Sequence, residues 1–337
     1  MAPALLLAVL APLVGEYLLG DLSVRRLPLV LALVPQYGCG ALLVRELARR
    51  TGRGWPSMLL LAGAYGLIEE GFTTQSLFNP DYLGAGLLHY GYLPTLHTSL
   101  NWAVFVISIH VVWTISTPIL IAEGVAGERR ATPWLRRPGL AVAAILFVLG
   151  CAFNTLSSLR SSSFVASPVE LAVVAALVAG AVAAAFGLFP PGARQPAIAG
   201  RAPAPWLVGL CALVLASLFL LLNHRRSAAS GLPPVWDLMA ILACGAIAVL
   251  LVTVWSRRSG WGPPHQLALA AAAVLAYSWS SLATLLSGHT NLGAAVGPVD
   301  VAGQVLLALG ILALIAWAAV RSRPTARPRS YAGRLSP

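Results

Sequence analysis

The chain has 337 residues, 58% of them hydrophobic and 10% charged, with a mean hydropathy of +0.81. This composition excludes a soluble globular domain and describes a polytopic membrane protein. The formal net charge of +11 is carried by arginine alone; the arginines lie in short links and at the tail, which reads as a topology signal and as contact with anionic membrane lipid, so no nucleic-acid partner is expected.

Ten apolar windows follow in order, near 3–20, 28–48, 56–76, 101–122, 138–156, 168–188, 206–223, 236–256, 266–286 and 302–321. Each is close to the length that crosses ~30 Å of hydrocarbon, and helices are the form that satisfies the backbone there. The expected fold is therefore all-α, with about ten transmembrane helices. Arginines crowd the links after even-numbered windows (Arg49, Arg50, Arg53, Arg129, Arg130, Arg136, Arg137, Arg194, Arg201, Arg257, Arg258) and the tail beyond Arg321. The links after odd-numbered windows hold only Arg25, Arg26, Arg160, Arg225 and Arg226, so both termini are placed in the cytoplasm. Residues 1–321 read as one transmembrane domain. Polar-lined helices 1–4 fall within 1–123, apolar helices 5–10 within 138–321, and a disordered cytoplasmic tail occupies 322–337.

The first window is apolar without a basic leader and reads as a retained span that carries Glu16. The second holds Pro35 and Gly38, which invite a kink, and ends in Arg45-Glu46. Arg45 is expected to snorkel to headgroups and Glu46 to pair with Arg49 one turn on. The third, WPSMLLLAGAYGLIEEGFTTQSLFNP, organises the chain. It sets Glu69 and Glu70 side by side inside an apolar helix, where a carboxylate is costly and usually faces a cavity, a partner or a proton. Gly63, Gly66 and Gly71 let neighbours approach, while Tyr65, Thr73 and Thr74 offer hydroxyls. The link from Gln75 to Leu100 lacks basic residues and is rich in Gly and aromatics, which suits a lid on the outer side or an interfacial aromatic belt. The fourth window carries His110, with His97 and Asn101 at its outer start and Pro118 as a kink. Eight of the 11 acidic residues lie within residues 1–128, so chemistry is expected in the first four spans, with the later ones as packing partners.

Glu69, Glu70 and His110 are the candidate catalytic residues, and Glu16, Tyr65, Thr74, His97 and Asn101 the candidate substrate contacts. Together they could line one outward-opening cavity where a carboxylate activates water and a histidine polarises a carbonyl. The same groups could relay protons or serve only in packing. Cys39, Cys151, Cys211 and Cys244 are widely spaced in apolar runs, and HExxH, GxSxG and GxxxxGK are absent. No metal and no cofactor is therefore expected.

GLIEEGF resembles the glutamate-pair motif of the CAAX-processing and bacteriocin-processing intramembrane proteases. That resemblance implies Glu69, the first of the pair, as the water activator. Thr74 stands where that family has an arginine; Phe105 to His110 is one residue longer than its FxxxH, and the HxxxN of His97 and Asn101 comes before His110. The first third of the chain, with GALLVRE, GWPS and YGLIEEG, is also similar to an uncharacterised group of prokaryotic multispan proteins. This implies the plasma (inner) membrane of a prokaryote. The residues alone leave two classes open. One is a transporter, channel or structural membrane protein; the other is a glutamate-dependent intramembrane hydrolase. The ligand, an unknown small molecule or membrane peptide, stays open too. Between the glutamates, Gly63 and Gly66 open space on the side of Glu70, which favours Glu70 as the working group.

Overall fold

A computed structural model describes residues 2–162, 164–192, 196–224 and 233–322. The expected tail beyond Ser322, Arg194, and the pair Arg225 and Arg226 lie outside the described residues. Among these residues each of the ten windows falls on a helical rod: α1 (Ala2–Leu18), α2 (Val24–Arg50), α3 (Trp55–Leu67 running on into Ile68–Thr73), α4 (Leu100–Ala131), α5 (Arg137–Ser161), α6 (Pro168–Gly187), α7 (Pro205–Asn223), α8 (Pro234–Ser256), α9 (Pro263–Leu286) and α10 (Pro298–Arg321). Eight of the helices are long and apolar enough to cross a membrane; α1 is shorter, and α3 is diluted by its glutamates. The protein is thus all-α and polytopic, with about eight candidate membrane-spanning helices. One minimal hairpin, β1 (Tyr92–Leu93) with β2 (Thr98–Ser99), interrupts the α3–α4 link.

The helix starts are written in the sequence. Prolines 56, 138, 168, 205, 234, 263 and 298 sit in first turns, where a missing N–H costs nothing. Ser167 and Glu170 close a capping box at the start of α6.

Burial separates the rods. The most apolar windows of α5, α6 and α8 are 11% buried, against 67% for α4 and 56% for α9, so the former present their faces to lipid. The centre is built from α1, the π-helical part of α2, α4 and α9. There Trp113 stacks on Tyr277 with centroids 4.5 Å apart, and the Trp113 indole donates to the Ala273 carbonyl at 2.8 Å. Among the later spans α9 thus packs directly on the centre. Gln304 of α10 also enters, donating to the Leu18 carbonyl at 2.8 Å and to the Ser281 hydroxyl at 2.6 Å.

Hydrogen bonds tie the rod ends into two separate sets. At one end Arg53 donates to Phe186 O, Gly192 N to Gly52 O, and the His265 ring meets Pro203 O. At the other, Asn79 donates to Ser162, Asn101 to Pro234 O, and Asn291 N to Gly20 O.

Small residues set the closest approaches. A Cβ on Gly71 would lie 2.6 Å from a Val174 methyl, so α3 meets α6 only because residue 71 lacks one. Gly71→Ala is expected to cost about 1–3 kcal/mol by overpacking. Val174→Ala in the same chain should recover most of the loss in a detergent melting experiment. No rescue would mean that the contact does not set the spacing.

At the basic end the charges differ from expectation. Arg45 is 0% exposed and does not snorkel. It ion-pairs with Glu46 and with Glu123 at 3.2 Å, donates to the carbonyls of Arg130 and Thr132 at 2.8 and 2.7 Å, and lies over the Trp134 ring at 3.4 Å. Arg49 pairs with Glu123 at 2.6 Å and not with Glu46. Glu46 instead accepts the Trp134 and Leu135 backbone N–H groups at 2.9 and 3.1 Å, with Arg50 at 3.7 Å. The reason is the 128–135 link, which folds back under α2 and offers partners that headgroups would otherwise supply.

Candidate functional site

Four short π-helical turns carry the polar centre: Leu13–Leu18, Val34–Gly38, Ile68–Thr73 and His110–Ser116. Such a turn inserts one residue into a helix, frees a carbonyl and re-aims side chains, and it is frequent at functional sites. Three of them lie beside prolines 12, 35 and 118, whose missing N–H breaks the ordinary ladder. Two of the turns are closed by a threonine whose hydroxyl adds a second donor to the carbonyl its own N–H meets: Thr117 Oγ1 to Val112 O at 2.8 Å, and Thr74 Oγ1 to Glu69 O at 3.1 Å. In turn order the four aim Glu16, Tyr37, the Glu69–Glu70 pair and His110 at one another.

Adjacent helical residues point about 100° apart and need no common partner, yet here the pair shares one. His110 Nε2 lies 2.7 Å from Glu70 Oε1, and His110 Nδ1 lies 3.4 Å from Glu69 Oε2. The far oxygen of Glu70 accepts from Thr74 Oγ1 at 3.1 Å and from Ser76 Oγ, which itself accepts from the Trp102 indole at 3.0 Å. Glu70 is thereby fully held. Glu69 Oε1 meets the Tyr37 hydroxyl, which also lies 2.6 Å from Glu16 Oε1. A phenol has one hydrogen. Both contacts close when Glu16 carries a proton and donates to Tyr37, and Tyr37 donates to Glu69. Glu69 Oε2, His110 Nδ1 and the Tyr65 hydroxyl remain buried without a hydrogen-bond partner. The Tyr65 ring stands edge-on to His110 at 5.8 Å, with its hydroxyl toward Glu69. Gly66 makes the approach possible, since a Cβ there would lie 3.1 Å from His110 Cβ.

The centre thus unites Glu69, Glu70 and His110 with the expected contacts Glu16, Tyr65 and Thr74. His97 and Asn101 stand apart: His97 Nδ1 faces Glu170 Oε1 at 3.1 Å, and Asn101 donates to Pro234 O at 3.0 Å. Both belong to the rod end away from Arg45, where the 92–99 hairpin and the start of α8 draw them away from His110. Ser76 and Trp102 join the centre unforeseen, and Tyr37 joins it from the π turn of α2. Although no metal was expected from motifs, single ligand atoms of buried Glu69, Glu70 and His110 lie within 4.8 Å of one another.

Toward the basic end, Ala41, Leu42, Val44, Leu61, Ile119 and Ala122 form an apolar layer between this centre and the Arg45 knot. Toward the other end, the Gln75–Asn79 turn separates Glu70 from a cleft of about 650 Å³ lined by Asn79, Asp81, Tyr82, Ser161 and Phe164.

These features define a multispan membrane protein with a buried intramembrane Glu/Glu/His cluster, of a kind suited to catalysis or metal binding. The chain belongs to a family described as "Uncharacterized membrane protein family", whose model matches residues 5–325. No curated protein and no solved structure matches it.

Proposed function

We propose that the chain is a glutamate-dependent intramembrane hydrolase whose centre opens toward the outer side of a prokaryotic plasma membrane. The observation that carries this reading is the pair of buried atoms Glu69 Oε2 and His110 Nδ1, 3.4 Å apart and without a hydrogen bond, with the Tyr65 hydroxyl turned toward Glu69. A water held there has Glu69 to take its proton, while Tyr65 donates to the oxygen of a carbonyl under attack. Glu70 holds His110 in orientation. The substrate class that fits is an amide or ester of a membrane peptide or small lipid-soluble molecule, reaching the centre past the 75–84 turn. A transporter needs a polar route through the membrane, and the apolar layer below Tyr37 argues against one. The glutamate pair supports a mechanistic likeness to the CAAX-processing type of protease, without its arginine.

Purified chain in lipid vesicles should hydrolyse members of a panel of fluorogenic membrane-peptide amides and esters and should conduct no protons. Proton flux without hydrolysis would overturn the reading.

In this proposal α1 and α3 also cross, giving ten spans in one domain, 1–321. Helices α1–α4 supply the polar lining and α5–α10 enclose it, with both termini and the 322–337 tail cytoplasmic. The arginine distribution and the two sets of rod-end hydrogen bonds support it. Single cysteines at Leu83 and Ala131, in a cysteine-free background, are expected to react with an impermeant thiol reagent from opposite sides. Reaction from the same side would remove the alternation of crossings.

A further inference from the structure

We infer that the Glu69–His110–Tyr65 point is a binding site for one divalent first-row cation of the zinc type. The inference rests on the preceding reading only in sharing its site; it asks what occupies the point at rest.

Three observations lead to it. The first is orphaned atoms. Glu69 Oε2, His110 Nδ1 and the Tyr65 hydroxyl are buried and face one another without a well-formed hydrogen bond, an arrangement that an ion between them would satisfy better. The second is spacing. His110 Nδ1 and Glu69 Oε2 lie 3.4 Å apart. A tetrahedral ion about 2.0–2.1 Å from each ligand sets its ligands about 3.3–3.4 Å apart. The third is the outer arrangement. His110 turns Nε2 to Glu70 Oε1 at 2.7 Å, and Glu70 is pinned in turn by Thr74 and Ser76. With the proton on Nε2, Nδ1 is a bare lone pair aimed at the point. A carboxylate behind the far nitrogen of a histidine is the usual support of a metal ligand.

Charge points the same way. The centre gathers Glu16, Glu69 and Glu70 around one imidazole, and the Arg45 knot lies beyond the apolar layer. A dication offsets carboxylate charge gathered in a low-dielectric interior. The ligands are then His110 Nδ1, Glu69 Oε2 and the Tyr65 oxygen, with a water in the fourth position. Glu70 acts behind His110 as a positioning residue. The hard-oxygen and imidazole donor set suits zinc or cobalt better than calcium, which takes six to eight oxygens.

The test uses the full chain in detergent, stripped with chelator and dialysed against Zn²⁺ or Co²⁺. Metal content should approach one ion per chain, and the Co²⁺ form should show the intense visible bands of a tetrahedral site. His110→Ala and Glu69→Gln should lose both signals, and Glu70→Gln should weaken binding about 10- to 100-fold. Glu170→Gln, remote from the centre, should bind like the parent. Monodispersity on gel filtration identifies the variants that fold. Should folded Glu69→Gln and His110→Ala bind as the parent does, or the parent take up no ion, the site is not a metal site. The ion takes up the Glu69 oxygen that the base needs, so a loaded chain that hydrolyses as fast as the stripped one would overturn this ligand set while leaving the hydrolase reading intact. One bound ion, with no hydrolysis by either the loaded or the stripped chain, would support the cation and remove the hydrolase.

Discussion

Replacing Arg45 by methionine is expected to abolish or severely reduce the folded yield. Met keeps most of the aliphatic volume and the contact with Trp134 but removes every donor. Four partners lose their donor at once: the carboxylates of Glu46 and Glu123 and the carbonyls of Arg130 and Thr132. Breaking a buried ion pair from one side costs about 3–5 kcal/mol, because the remaining charge stays buried without compensation. Here part of the loss is cushioned, since Arg49 still holds Glu123 and the Trp134 and Leu135 N–H groups still hold Glu46. The two orphaned carbonyls add to the cost. Arg45→Lys should fall nearly as far, as an ammonium cannot present the planar fork that reaches four acceptors. Gel-filtration profiles and thermal melting in detergent would read the effect. A methionine variant that melts with the parent would show that the 128–135 link docks without the arginine and that the knot is incidental.

The failure to foresee this knot has a physical cause that applies along the chain. Local signals were legible: the apolar windows, the prolines in first turns, the Ser167–Glu170 cap and the glutamate pair all act within a few residues. Membrane cost alone marked Glu69, Glu70 and His110 as a centre, and hydroxyls close in sequence, such as Thr74, followed. What the sequence left open is which distant groups turn to meet. For Arg45 the sequence suggests headgroups and for Glu46 it suggests Arg49, whereas Arg45 meets Glu46 itself, Glu123 of α4 and carbonyls of a link more than eighty residues on. His97 and Asn101 precede His110 by a few turns and looked like its neighbours. The hairpin at 92–99 and the start of α8 take them elsewhere. The direction of Tyr37 is not legible in the sequence, because a π turn, which no period of 3.6 reveals, aims it between two glutamates. The amide of Gln304, in a span without a local polar pattern, reaches the Leu18 carbonyl at the end of α1.

Glu69→Gln and Glu70→Gln are expected to fail differently. The space beside Gly63 and Gly66 favoured Glu70 as the working group, but in the structure that space is filled: Gly66 accommodates His110 itself. Glu70 has one oxygen on His110 and the other on Thr74 and Ser76, so both of its oxygens are engaged. Glu69 has one oxygen engaged by Tyr37 and one free beside His110 Nδ1. A base must offer a free oxygen to the proton it takes, which assigns that role to Glu69. Glutamine at 69 can still donate or accept at Tyr37 but cannot accept a proton. Folded yield should therefore stay near that of the parent while kcat falls about 10²- to 10⁴-fold. Glutamine at 70 puts an NH2 group where acceptors are required. Either its amide faces His110 Nε2, forcing the ring to change tautomer, or it faces the two hydroxyls and displaces one. The expected result is a smaller fall in kcat with a lower melting temperature, because buried donors lose a partner at about 1–3 kcal/mol each. The pair of measurements, turnover and melting for each variant, separates the roles. Loss of turnover at Glu70→Gln with unchanged melting, and none at Glu69→Gln, would reverse the assignment and return the reaction to the oxygen that now faces Ser76.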